Sequence, residues 1–212
     1  MNLPNLVTLS RIPLMFLIVA LIYAHAPDAA SFGLLQRVLG WLDGLTGVAL
    51  GNFLLFVLAG LTDFFDGYLA RKRGQVSNFG ILMDAVTDKV LLLGIMIALV
   101  DLDRVPLLLV LLILGREFLI TGMRLVAATK GVVVSADKGG KQKTVTQILA
   151  VGAFLLADVI RYDVNQWAGI DLTPWWTWLN YLGLGLFILA TLFTLTSGAR
   201  YFRRYGNLVF TD

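Results

Sequence analysis

Residues 63–88 read DFFDGYLARKRGQVSNFGILMDAVTD, and their four aspartates decide how the rest of the chain is read. Asp63 and Asp66 stand at i, i+3, and Asp84 and Asp88 at i, i+4, so each pair shares one face of a helix. The first pair ends an apolar run over 47–69 and the second begins another over 81–100. An aspartate at the centre of a membrane helix costs about 3 kcal/mol on insertion scales, so four within 26 residues need a reason. Two antiparallel helices joined by a short loop bring both pairs to one depth. Four carboxylates meeting there in a low dielectric repel one another. A divalent cation, or two, relieves that repulsion, and hard oxygen ligands favour Mg²⁺, Mn²⁺ or Ca²⁺.

Outward from this stretch the chain is apolar. Of its 212 residues 58% are hydrophobic and only 15% charged, against about 25% charged in a soluble globule. Continuous apolar runs near 12–24, 47–69, 81–100, 105–128, 144–162 and 176–198 predict six transmembrane helices. The runs do not alternate, which rejects a barrel. Residues 1–11 are mildly amphipathic and predict an N-terminal interfacial segment, with no removable signal peptide. No internal repeat, linker or low-complexity tract appears, so the expected fold is all-α: one polytopic membrane domain over 1–212.

Charge orients it. Arg11, Arg71, Lys72, Arg73, Lys130, Lys138, Lys141, Lys143, Arg200, Arg203 and Arg204 fall on one side, against Arg37, Arg104 and Arg161 on the other. The positive-inside rule then places the basic side, both termini and the aspartates in the cytoplasm. The opposite loop 25–46 reads as a short surface helix, and the Trp-rich stretch 171–178 as an interfacial anchor. There is no cysteine, hence no disulfide or thiol chemistry. The single histidine, His25, lies across the membrane from the aspartates, so base duty falls on a carboxylate.

Beside the aspartates, a loop carries Gly67, Arg71, Lys72, Arg73, Gly74 and Gly80. Glycine lets a ligand approach the backbone, and arginine pairs with phosphate oxygens. Carboxylates, metal and arginine together suit a diphosphate ligand. An isolated intramembrane aspartate is more simply a buried ion-pair partner or a helix cap; four in this register are not.

These residues stand as DFFDGYLAR, eight residues, Gly80, three residues, Asp84, three residues, Asp88, which resembles the complete signature of the CDP-alcohol phosphotransferase family. The resemblance implies a six-helix membrane fold, a homodimer, and a site at the cytoplasmic surface of a bacterial inner membrane. It implies that Asp63, Asp66, Asp84 and Asp88 bind two ions, Mg²⁺ or Mn²⁺, and that Asp88 is also the general base. It places Asn5, Thr8, Gly67, Ala70, Arg71, Ser77 and Gly80 around CDP-diacylglycerol. An acceptor hydroxyl attacks the phosphorus bearing diacylglycerol, and CMP leaves.

NLPNLVTLSRI at 2–12, REFLITGMRLVAATKG at 116–131 and GKQKTVTQ at 140–147 resemble the branch of the family that uses sn-glycerol 3-phosphate. That acceptor is an anion, and Arg116, Arg124, Lys138, Lys141 and Lys143 are the cations available to its phosphate. Arg116 and Glu117 start or interrupt a helix otherwise plain and lipid-facing; the bland reading of Arg116 is an ion pair with Glu117 or with an acid on another helix. The lysines read equally as a solvated loop near anionic lipid. Inositol phosphate, serine and phosphatidylglycerol stand as alternative acceptors, and a cation transporter as an alternative of another class. The expected partners are the two substrates, membrane lipids and a second copy of the chain, with no nucleic acid.

Overall fold

The apolar runs become six long helices among the residues described by the structure, a computed structural model covering 3–24, 45–73, 78–132 and 138–210. They are α1 Leu3–Ala24, α2 Val48–Arg73, α3 Asn78–Asp101, α4 Leu107–Thr129, α5 Lys138–Asp158 and α6 Thr173–Phe210. No strand occurs among the described residues. The surface helix expected over 25–46 falls almost wholly outside them, as does His25.

Several boundaries differ from the expected spans. α1 runs unbroken through Arg11 and Pro13, so the N-terminal segment and first span are one helix. α2 continues to Arg73, which puts Gly67, Ala70 and Arg71 in helix rather than loop. Leu, Ala, Arg and Lys are strong helix formers, and one glycine is tolerated. α5 already begins at Lys138, so the lysines read as a loop lie on its first turns. α4 passes through Arg116 and Glu117 without a break. α6 extends 38 residues, from the Trp175–Trp178 aromatics to beyond Arg200, Arg203 and Arg204.

The core forms where these helices share apolar faces. Ile18 and Ile22 of α1 meet Leu91, Ile95 and Leu99 of α3 at i, i+4 spacing, with Phe56 of α2, Ile113 of α4, Val151 and Phe154 of α5, and Phe187 of α6. α5 packs most extensively on α6, α1 on α3, and α4 on α6. Glycine permits the closest approaches. A Cβ at Gly183 would lie 3.1 Å from the Phe154 ring, and one at Gly94 would strike the Met15 thioether. The outward faces are apolar too: Phe16, Leu58, Leu108, Phe118, Leu125 and Leu192 are all exposed. A bundle apolar inside and out is the composition expected of a membrane protein. Among the described residues, Gly140–Ala168 and Thr173–Gly206 are long and apolar enough to cross a bilayer, and Leu9–Ala24 and Val48–Thr62 are shorter apolar stretches.

Beyond α5 the chain winds as a π-helix over Val159–Val164, resumes α-helix at Asn165–Ala168, and closes at Gly169, φ 63°. The wider turn turns buried Asp163 toward α2, whose first orphan donors it satisfies. The Gly47 N–H donates to its Oδ1 at 2.8 Å and the Leu50 N–H to its Oδ2 at 2.6 Å. At the start of α6, the Thr173 hydroxyl and N–H donate to Asp171 and hold its carboxyl below the usual carboxylate range.

Candidate active site

A cavity of about 300 Å³ opens between α1, α2, α3, α4 and α5, and helical register ties it to the four aspartates. On α2 it is lined by Phe56, Ala59 and Gly60. Asp63 lies seven residues after Phe56 and Asp66 seven after Ala59, two turns further along the same stripe. On α3 it is lined by Leu91, Leu92 and Met96. Asp88 lies four residues before Leu92 and Asp84 eight before it, again one continuous stripe. By register, both aspartate pairs therefore fall on the helix stripes that line the cavity, toward the C-terminal end of one helix and the N-terminal end of the next.

The backbone places Asn5 and Thr8 on α1, Gly67, Ala70 and Arg71 in the last two turns of α2, and Gly80 in the first turn of α3. Their side chains, those of the four aspartates and of Lys138, and all of Ser77 lie outside the described residues. Among the described side chains no cluster of three carboxylate, histidine or cysteine groups exists to hold a metal. The metal reading thus rests on the two aspartate pairs, whose hard oxygens suit Mg²⁺ or Mn²⁺.

The described cavity wall is basic around one acid. Glu117 on α4 accepts from Lys143 Nζ of α5 and from Arg116 Nη1 at 3.1 Å, and Lys89 Nζ of α3 stands 3.9 Å away. Lys89, the residue after Asp88, also donates to the Thr121 hydroxyl, which in turn donates to the Glu117 carbonyl at 2.7 Å. Thr121 and Arg124 stand four and seven residues after Glu117, on one stripe of α4. Arg124 Nε donates to the Tyr201 hydroxyl at 2.9 Å, bracing it on α6. Lys143 and Gln147, four apart on α5, face the same space, and buried Arg11 completes the wall from α1. The Gln147 amide nitrogen is buried without a hydrogen-bond partner among the described residues. Four cations and one carboxylate around a small space, with a spare amide donor, suit an anion carrying hydroxyl groups.

Of the cations expected to meet an acceptor phosphate, Lys143 and Arg124 line this cavity. Lys141 is exposed. Arg116 pairs with Glu117 as the bland reading held, donates from Nη2 to Ser197 Oγ at 3.0 Å, and lines a separate groove of about 650 Å³ between α4 and α6. Sequence reasoning gave no site role to Lys89, though it stands out as a cation at helix depth, nor to Thr121 and Gln147. The signal was there for two of them: Lys89 adjoins Asp88, and Gln147 repeats the α5 face one turn after Lys143.

The sequence of the chain is similar to that of known proteins. A family model described as CDP-alcohol phosphatidyltransferase matches residues 1–196. A CDP-diacylglycerol–glycerol-3-phosphate 3-phosphatidyltransferase of Bacillus subtilis is 38% identical over 206 residues, covering 96% of this chain and 94% of the relative. One of Rickettsia typhi is 33% identical over 202 residues, covering 95% and 96%. A probable phosphatidylglycerophosphate synthase of Mycobacterium tuberculosis is 35% identical over 156 residues, covering 73% of this chain and 66% of its own length.

Proposed function

The chain belongs to the CDP-alcohol phosphatidyltransferase family, and from that premise we propose that it transfers the phosphatidyl group of CDP-diacylglycerol to sn-glycerol 3-phosphate, giving phosphatidylglycerophosphate and CMP. The observation that carries the reading is the continuity between the aspartate stripes and the basic cavity. Diphosphate chemistry and an anionic acceptor then meet along one wall. The relatives that cover nearly all of this chain bear the same reaction in their names.

In this reading Asp63, Asp66, Asp84 and Asp88 would hold two Mg²⁺ or Mn²⁺ ions, which would supply positive charge to offset that of the diphosphate. Asn5, Thr8, Gly67, Ala70, Arg71, Ser77 and Gly80 surround the cytidine diphosphate. Lys143, Arg124 and Lys89 seat the acceptor phosphate, and Lys138, Lys141 and Arg116 draw it toward the opening. Asp88 takes the proton from the acceptor hydroxyl as its oxygen attacks the phosphorus bearing diacylglycerol. The bond from that phosphorus to the CMP oxygen breaks, and CMP leaves with the electron pair. The apolar exterior supports residence in a membrane; in this reading the chain has six spans, keeps both termini and the site on the cytoplasmic face, and works as a homodimer.

The test is an acceptor assay. Purified protein receives labelled CDP-diacylglycerol with sn-glycerol 3-phosphate, inositol phosphate, serine or phosphatidylglycerol, under metal titration. The expected result is a lipid product with a second phosphate, formed only with glycerol phosphate and divalent metal. A product lacking that phosphate would overturn the acceptor assignment.

A further inference from the structure

At the far end of the bundle a second cavity, about 530 Å³, lies among the C-terminal end of α3, the end of α5 and the start of α6. Asp101, on its wall, is 13 residues beyond Asp88 on α3, which at 1.5 Å per residue is ~20 Å from the aspartate end. The mechanism above uses nothing here. Much of the cavity's charge is already matched. Arg104 donates from Nη1 to both Asp158 oxygens at 2.8 Å, and the Tyr23 hydroxyl donates to Asp101 at 2.9 Å.

Two groups of opposite sign are left. Arg161 lies 4.6 Å from the Trp176 ring centroid and 5.2 Å from that of Tyr162, and meets no carboxylate among the described residues. Asp103 lines the same cavity and makes no side-chain hydrogen bond or ion pair among the described residues. It sits at φ 54°, the left-handed position that closes α3. The Trp176 indole nitrogen is buried without a hydrogen-bond partner among the described residues. Arg161 and Tyr162 belong to the π-helical turn, a rare element that concentrates at functional sites. Exposed Trp175, Trp178 and Tyr181 mark the level as a membrane interface.

A simple anion would face Asp103 and Asp101 here, and a simple cation would face Arg161. A ligand carrying both charges satisfies the cavity. We propose that this cavity binds the headgroup of a zwitterionic phospholipid from the leaflet opposite the aspartates. Its phosphodiester lies on Arg161 and the indole N–H, its ammonium on Asp103, and its glycerol against the aromatics. The assignment rests on the chain's residence in a membrane and is independent of the reaction proposed above.

The test is native mass spectrometry of the purified full chain in detergent, with phosphatidylethanolamine or phosphatidylglycerol added. Soluble phosphoethanolamine and inorganic phosphate serve as competitors. Phosphatidylethanolamine is expected to be retained about tenfold better than phosphatidylglycerol, the scale of one charge-assisted hydrogen bond. Arg161→Ala should remove that retention, and Asp103→Asn should erase the preference between the two lipids. Phosphoethanolamine should compete where inorganic phosphate does not. Equal retention of both lipids by the native chain, unchanged preference in the variants, or displacement by inorganic phosphate alone would each overturn the proposal. Turnover of the same preparations, expected unchanged, reports folding. Should Arg161→Ala lose turnover, Asp103→Asn decides alone, because asparagine also tolerates the left-handed position.

Discussion

Replacing Glu117 by glutamine isolates the one described carboxylate among the cations of the inner cavity. The side chains are 14% exposed at Glu117, 9% at Lys143 and 11% at Arg116, so water screens these contacts little. Lys89, 34% exposed and 3.9 Å away, is screened more. At an effective dielectric constant near 20, unit charges at the 3.1 Å of the Arg116 contact attract by about 5 kcal/mol. Much of that is offset by desolvation, and removing one member of a buried pair costs ~3–5 kcal/mol net. Glutamine keeps the shape and one oxygen, which points to the lower end, about 3 kcal/mol, or a melting point ~6–12 °C lower for a chain of this size. The assay is thermal unfolding of Glu117→Gln in detergent, followed by tryptophan fluorescence, with and without sn-glycerol 3-phosphate. The anion should restore more stability to the variant than to the native protein, since it supplies the missing negative charge. A variant melting within about 1 °C of native, or gaining nothing extra from the anion, would refute the reasoning.

Other substitutions read other parts of the bundle. Asp88→Asn should abolish turnover while sparing CDP-diacylglycerol binding, measured by retention of labelled liponucleotide; normal turnover would remove it as the base. Lys143→Ala should raise KM for glycerol phosphate by about tenfold and leave that for CDP-diacylglycerol within about twofold, the signature of a lost charge-assisted contact to one substrate. Asp163→Ala strips the cap from α2 and should cost ~1–2 kcal/mol in thermal or denaturant unfolding. Gly198→Ala adds a Cβ 2.9 Å from Arg116 Cγ, so it should loosen the Arg116–Ser197 contact and lower the melting point. An unchanged melting point would mean that the Arg116 stem shifts freely.

The helices were legible because membrane-length apolar runs admit few other structures, and the aspartate pairs because helical spacing alone puts them on faces. Helix ends were less so. Apolarity stops at the membrane surface while helix propensity does not, so Ala70–Arg73, Lys138–Lys143 and Arg200–Arg204 stay helical past the runs that announced them. Long-range polar pairs left no local trace. Arg104 and Asp158 are 54 residues apart, and Asp163 caps a helix that begins 115 positions earlier. Arg116 shows the opposite case. Its neighbour in sequence, Glu117, is its partner in space, and the plainest reading of the dipeptide held.

Helix α6 also acts as a gauge. From Trp176 to Arg200 is 24 residue steps, ~36 Å along the axis, against a hydrocarbon slab ~30 Å thick. With indoles seated at one headgroup layer and arginines at the other, α6 must lean or the surrounding lipid must stretch. Ser197 near its basic end accepts from Arg116, which donates to Glu117, so α6 and the cation cluster share one line of contacts. The helix that spans the greatest length thus also carries a brace of the cation cluster, so the seating of α6 and the seating of Arg116 are one structural matter.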